Sequence, residues 1–152
     1  LPYFGDFNAD GKTDILAWST NGGWHIGYST GRGFDVKSIT LPVSDVNATY
    51  FNFVDDFNGD GKSDILVAYN NGTAASFHTL FSTGMNFVNE NYSHSDDFFM
   101  FNFAEEKKIV AFTGDFTGDG KSDFFHVQTN SEPLKIFSFY KNSETEIYAL
   151  SG

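Results

Sequence analysis

The sequence predicts an all-β chain, and two observations support this expectation. Aromatic residues make up 18% of the 152 residues, with 19 Phe and 7 Tyr set among many Gly, Asn, Ser and Thr residues, and ring side chains suit the pleated surface of short strands. In addition, a nine-residue acidic motif recurs three times, and an apolar run follows each copy directly. We therefore expect short strands joined by tight turns rather than long helices.

The recurring motif predicts a repeat architecture. It reads DFNADGKTD at 6–14, DFNGDGKSD at 56–64 and DFTGDGKSD at 115–123, so the copies start 50 and 59 residues apart. Strand-like apolar sequence follows the three copies at 15–18, 65–69 and 124–127. Self-similarity at this spacing is typical of proteins built from stacked structural repeats. Each repeat is predicted to contain a loop that leads into a strand.

Two further strands are predicted after the motif in each repeat. WHIGYSTGRGF at 24–34 aligns with FHTLFSTGMNF at 77–87, and in the first segment Trp24, Ile26 and Tyr28 alternate with other residues at the period of a strand. In the third repeat the corresponding strands are expected at 135–140 and 146–150. With a short strand before each motif, at 50–54 and 108–113 in the later repeats, every repeat holds four antiparallel strands.

Four antiparallel strands in 50 to 59 residues match the size of one β-propeller blade. We predict one repeat domain at 1–152 that forms part of a propeller: blade 1 at 1–42 with a truncated first strand, blade 2 at 43–104 with an inserted loop at 91–107, and blade 3 at 105–152. Three blades do not close a ring. The remaining blades of a larger propeller, or a second copy, are therefore expected partners.

The spacing within the motif predicts calcium binding. Oxygen-bearing side chains recur at positions one, three, five and nine, and the glycine at position six permits a sharp bend that turns them towards one point. Crowding these carboxylates without a cation costs repulsion and desolvation, and magnesium prefers a stricter octahedron. The predicted ligands of three Ca²⁺ sites, with each Lys contributing its backbone carbonyl, are Asp6, Asn8, Asp10, Lys12, Asp14, Asp56, Asn58, Asp60, Lys62, Asp64, Asp115, Thr117, Asp119, Lys121 and Asp123.

An EF-hand is excluded by position. The twelfth residue of an EF-hand loop is Glu, whereas these loops have Ala17, Val67 and His126 there. Helices bracket an EF-hand loop, but these loops run into aromatic and β-branched strand sequence. The calcium loops are therefore expected between the first and second strands of each four-stranded repeat.

The motifs resemble the FG-GAP and VCBS repeats of the integrin α-subunit propeller and of bacterial surface proteins. The resemblance is carried by Phe4-Gly5-Asp6-Phe7-Asn8 and by the segments 54–61 and 113–120. It implies calcium in the loop between the first two strands of a blade. The chain departs from the family pattern where Asp55 replaces a Gly and where Thr117 replaces an Asn.

Composition narrows the partners. The formal net charge of −11 disfavours nucleic acid and anionic lipid as partners and favours cations. The sequence contains no run of about 18 apolar residues, which membrane insertion of a helix would require. The chain has no Cys, which removes disulfides, thiolate zinc sites and a Cys nucleophile. Sequons at Asn47, Asn71 and Asn91 are glycan acceptors if a eukaryote secretes the protein, and chance explains them equally well.

These features predict a non-catalytic, calcium-rigidified scaffold that is secreted or at the cell surface and that presents loops to a protein or glycan ligand. His25 and His78 occupy equivalent repeat positions, which favours a structural role over catalysis, and no GxSxG motif occurs. Two alternatives stay open. One is a carbohydrate-binding lectin that stacks Trp18 or Trp24 on sugar, and the other is a structural propeller of a toxin or surface filament.

Overall fold

A computed structural model describes residues 2–20, 22–43, 51–70, 75–92, 109–128, 135–140 and 143–148. These residues form twelve strands and no helix, which confirms the all-β prediction. The strands are β1 (Tyr3–Gly5), β2 (Asp14–Ser19), β3 (Gly23–Ser29), β4 (Phe34–Ile39), β5 (Phe51–Asp55), β6 (Asp64–Asn70), β7 (Ala75–Ser82), β8 (Phe87–Tyr92), β9 (Ile109–Gly114), β10 (Asp123–Gln128), β11 (Lys135–Tyr140) and β12 (Ser143–Tyr148).

The strands form three four-stranded antiparallel sheets, in which neighbours along the chain are neighbours in the sheet. The first sheet contains β1–β4, the second β5–β8 and the third β9–β12. Each acidic motif connects the first two strands of its sheet. The prediction of four antiparallel strands in each repeat is therefore correct.

Two predicted boundaries differ from the structure. Strand β12 begins at Ser143, three residues before the predicted start, and Glu144 pairs with Phe139 of β11. Polar residues at an edge strand give no hydrophobic signal, so pairing across the hairpin decides where this strand begins. Strand β8 takes Asn91 and Tyr92 from the predicted inserted loop, and the remainder of that loop, at 93–107, lies outside the described residues.

The chain divides into two compact units, Leu1–Phe99 and Met100–Gly152. The first unit contains β1–β8 and one hydrophobic core shared by its two sheets. The buried members of this core are Tyr3, Phe7, Leu16, Trp24, Ile26, Tyr28, Leu41, Ile65, Val67, Leu80 and Phe87. The alternation predicted for β3 is confirmed, because Trp24, Ile26 and Tyr28 are all buried.

The two sheets of the first unit use opposite faces to build this core. Leu16 lies two residues beyond the last Asp of its motif, whereas Ile65 lies one residue beyond, and both side chains are fully buried. Successive strand residues point to opposite faces. The face of the first sheet that carries Leu16 therefore packs on the face of the second sheet that carries Ile65. These two faces are not equivalent in the repeat, and the packing brings the two acidic loops side by side.

Candidate metal centre

The three acidic loops share one backbone bend. The glycine at position six has a left-handed backbone in every loop, with φ of 80° at Gly11, 81° at Gly61 and 81° at Gly120. A side chain at this φ is strained, whereas glycine adopts it readily. The sharp bend expected at this position is therefore present in all three repeats.

The first aspartate of each loop organises the bend. Asp6 accepts the N–H of Asp10 at Oδ1 (3.0 Å) and the N–H of Gly11 at Oδ2 (2.7 Å). Asp56 and Asp115 accept the corresponding pair of amides in their own loops at 2.7 to 3.1 Å. These carboxylates thus accept backbone N–H groups at the bend.

The aspartate at position five lies at the exposed tip of the loop. In the first loop Lys12 donates from Nζ to Asp10 Oδ2 at 2.9 Å, and in the second Lys62 donates to Asp60 Oδ2 at 2.6 Å. The motif predicts a backbone carbonyl ligand from each lysine but does not predict this ion pair. These carboxylate oxygens are partly exposed, and each already accepts a hydrogen bond from a lysine ammonium group.

The aspartate at position nine has a different environment, because it is fully buried at the base of the loop. Asp14 accepts the N–H of Phe7 at Oδ2 (3.1 Å) and the N–H of Ser29 at Oδ1 (2.8 Å). Asp64 accepts the N–H of Phe57 at 3.1 Å and that of Ser82 at 2.7 Å. In the first two repeats the buried carboxylate therefore ties its loop to the third strand of its own sheet, a role that the motif spacing alone does not reveal.

Burial makes negative charge costly at this position. Desolvation raises the pKa of Asp64 to about 7. The hydrogen bond from the N–H of Ser82 lowers this pKa, whereas the neighbouring carboxylates of Asp60 and Asp56 raise it further. Desolvation also raises the pKa of Asp14. At the loop tip, by contrast, the hydrogen bond from Lys12 lowers the pKa of Asp10. A cation beside the buried carboxylate would favour its ionised form.

The described ranges contain no group of three His, Cys, Asp or Glu side chains close enough together to hold a metal ion. The donor chemistry nevertheless fits calcium, because every loop offers carboxylate oxygens and each such oxygen can accept more than one interaction. In the third loop Asp123 Oδ1 is buried and has no hydrogen-bond partner among the described residues. Calcium binding at the three loops stays a prediction.

Sequence comparison assigns part of the chain to a known repeat. Residues 6–67 match the FG-GAP-like repeat family. This range spans the first two acidic loops and confirms the resemblance predicted from their motifs. No curated protein matches the chain.

A solved structure similar to the chain is that of a lectin from Agrocybe aegerita that recognises non-reducing terminal N-acetylglucosamine. The two chains are 17% identical, the match covers 97% of this chain and 51% of the lectin chain, and the TM-score is 0.48. The chain thus spans about half the length of that lectin chain.

The third loop departs from the FG-GAP-like pattern in its geometry as well as its sequence. In the first two loops the third residue is Asn, and its side-chain oxygen accepts the N–H of Asp10 at 3.0 Å and of Asp60 at 2.9 Å. Thr117 occupies this position in the third loop, where a hydroxyl replaces the side-chain amide. The amide oxygen of the other loops is therefore missing there.

The two equivalent histidines lie at equivalent strand positions. His25 pairs with Ala17 of β2, and His78 pairs with Val67 of β6. His25 Nδ1 lies 3.0 Å from the carbonyl oxygen of Gly23, and the side chains of His25 and His78 are half-buried.

The described residues include no helix with the length and apolar character of a membrane span.

Proposed function

We propose that the chain is a calcium-stabilised, non-catalytic module of the β-propeller type that presents loops to a ligand outside the cell. The observation that carries this proposal is the pair of FG-GAP-like loops at 6–14 and 56–64, which share one bend and one set of backbone-to-carboxylate hydrogen bonds. Hard oxygen donors at an accessible loop tip suit calcium. A calcium held in such a loop rigidifies the scaffold rather than activating a substrate.

The exposed face of the first sheet supports the propeller arrangement. Phe4, Phe34 and Val36 lie on the face opposite the core and are more than half exposed. The equivalent face of the second sheet is buried by the first sheet, with Ile65 and Leu80 fully covered. Another blade or a second copy is therefore the proposed partner of the exposed face, and blades at 1–42, 43–104 and 105–152 are part of the same proposal.

Calorimetric titration of calcium into variants that each retain one intact loop tests the metal sites. The fifth-position substitutions Asp10→Asn, Asp60→Asn and Asp119→Asn disable two loops at a time without touching the buried carboxylates. We expect the loop at 115–123 to bind about fivefold more weakly than the other two, with affinities on the order of 10⁻⁴ to 10⁻³ M. A Thr hydroxyl is a shorter and poorer ligand for a hard cation than an amide oxygen.

Restoring that ligand provides the matched control. Thr117→Asn should tighten the third loop to the level of the second, since all three loops carry the same three aspartates. Equal affinities of the second and third loops, each measured in the variant that retains only that loop, would refute the ligand argument. Absence of any calcium heat in all three single-loop variants would refute calcium binding itself.

A lectin function is the second candidate, and one exposed ring favours it. Trp18 is 50% exposed and stands edge-on to Trp24, with ring centroids 5.7 Å apart. Trp24 itself is buried, so of the two tryptophans it is Trp18 that offers a face on which a sugar could stack. On a glycan array, Trp18→Ala should abolish any signal, whereas Phe34→Ala, an exposed aromatic on β4, should leave it intact. An array without signal from the parent chain removes this candidate.

A further inference from the structure

The loop of the second repeat holds the loop of the first. Ser63 donates its N–H to the carbonyl oxygen of Asp6 at 2.7 Å, and its Oγ accepts the N–H of Asp6 at 3.0 Å. Gly5 makes this approach possible, because a Cβ there would lie 2.6 Å from Ser63 Cβ. Ser63 directly precedes Asp64, so the base of one loop is bonded to the first residue of the other.

A second connection runs through buried groups. Asp64 Oδ1 accepts the N–H of Ser82 at 2.7 Å, and the hydroxyl of Ser82 donates to the carbonyl oxygen of Phe7 at 2.6 Å. The N–H of Phe7 in turn bonds to Asp14 Oδ2 at 3.1 Å. The N–H of Gly84 donates to Ser82 Oγ at 3.1 Å, which leaves the hydroxyl proton free to point at Phe7. A continuous chain of hydrogen bonds therefore joins the ninth-position aspartates of the two loops.

We propose that calcium binds cooperatively to the loops at 6–14 and 56–64, with Ser63 and Ser82 as the positioning residues that couple them. The inference rests on the proposed calcium function. Calcium in the second loop fixes Asp64, and Ser63 and Ser82 then hold Asp6 and Phe7 in place. The first loop pays less ordering entropy when it binds its own ion. Linkage requires the effect to be reciprocal, so the first loop strengthens the second by the same factor.

The first repeat contains equivalents of both serines that serve as matched controls. Thr13 and Ser29 stand at the positions of Ser63 and Ser82, and Ser29 donates its N–H to Asp14 as Ser82 does to Asp64. Within the described residues no earlier acidic loop lies against either of them. Their side chains therefore do not connect the two loops.

The test is a double-mutant cycle measured by calcium calorimetry on the full chain, with Asp119→Asn in every variant to remove the third loop. Disabling the second loop by Asp60→Asn should weaken calcium binding at the first loop about fivefold. In a Ser82→Ala background, Asp60→Asn should leave the calcium affinity of the first loop unchanged. In a Ser63→Ala background, Asp60→Asn should weaken that affinity by less than in the parent chain. In Ser29→Ala and Thr13→Ala backgrounds the original weakening should persist.

The outcomes separate this inference from the proposed function. The coupling would be overturned if both loops bind calcium but Asp60→Asn leaves the calcium affinity of the first loop unchanged. Calcium binding itself would then stand. A coupling that survives in both Ser63→Ala and Ser82→Ala would overturn the assigned residues. Circular dichroism of each variant establishes that it is folded, and Ser63→Ala, which removes only a half-buried hydroxyl, supplies the decisive comparison if Ser82→Ala unfolds.

Discussion

Phe7→Ala is expected to lower the free energy of unfolding of the first unit by about 3–5 kcal/mol, the usual cost of deleting a fully buried phenylalanine. Phe7 is 0% exposed, and its ring meets that of Phe87 edge-on at 5.5 Å. Both rings belong to the core shared by the two sheets. Removing the Phe7 side chain therefore leaves a cavity where the first acidic loop joins that core. Urea denaturation followed by tryptophan fluorescence measures the loss.

Phe116→Ala is the matched control, because Phe116 occupies the same motif position in the third repeat. Its side chain is 57% exposed, so its removal from the second unit should cost less than about 1 kcal/mol. An equal loss for both substitutions would mean that position two of the motif acts within its own loop rather than through the core between sheets.

The contrast between Phe7 and Phe116 shows where prediction from the sequence ends. The two residues hold the same position in the motif, although Asn8 follows Phe7 and Thr117 follows Phe116, and the motif correctly predicts a loop and a following strand for both. Their burial differs because it depends on what packs against each loop from elsewhere. A repeated motif can therefore predict strands and turns, but not which copy of a side chain enters a core.

Long-range polar contacts could not be predicted from the sequence for the same reason. Ser63 and Asp6 are 57 residues apart and Ser82 and Phe7 are 75 apart, so no local spacing announces their hydrogen bonds. The ninth-position aspartates were predicted from spacing to bind metal, but their hydrogen bonds to backbone amides were not. One signal was available, because the aligned Ser-Thr-Gly segments of the first two repeats contain Ser29 and Ser82.

The alanine at position four of the first loop gives a local example. Ala9 has φ of 59°, a left-handed value, where the second and third loops have Gly59 and Gly118 at 78° and 77°. The three motifs have Ala or Gly at this position. The structure shows that it requires a backbone conformation that costs a non-glycine residue energy.

Removal of calcium is expected to destabilise the first unit by about 3.5 kcal/mol. An ion that binds only the native state contributes RT ln(1 + [L]/Kd) to the free energy of unfolding. This is about 1.8 kcal/mol for each of the two loops at a roughly twentyfold excess of calcium over Kd. For a unit of this size the loss corresponds to a fall in Tm on the order of 10 °C or more. The physical reason is the cost of holding Asp14 and Asp64 buried beside other carboxylates without a cation. Differential scanning calorimetry in excess EDTA and in excess calcium measures the difference.

The variant Asp10→Asn/Asp60→Asn separates metal binding from other effects of the chelator. It keeps the buried aspartates and their hydrogen bonds to backbone amides but removes one carboxylate from each loop tip, so its Tm should respond little to EDTA. Adding magnesium in place of calcium should restore only part of the Tm of the parent chain, because magnesium gives up its water ligands reluctantly and prefers a stricter octahedron. A parent chain whose first unit melts at the same temperature with calcium and with EDTA has no stabilising calcium at these loops, and the acidic turns are then held by their backbone hydrogen bonds alone.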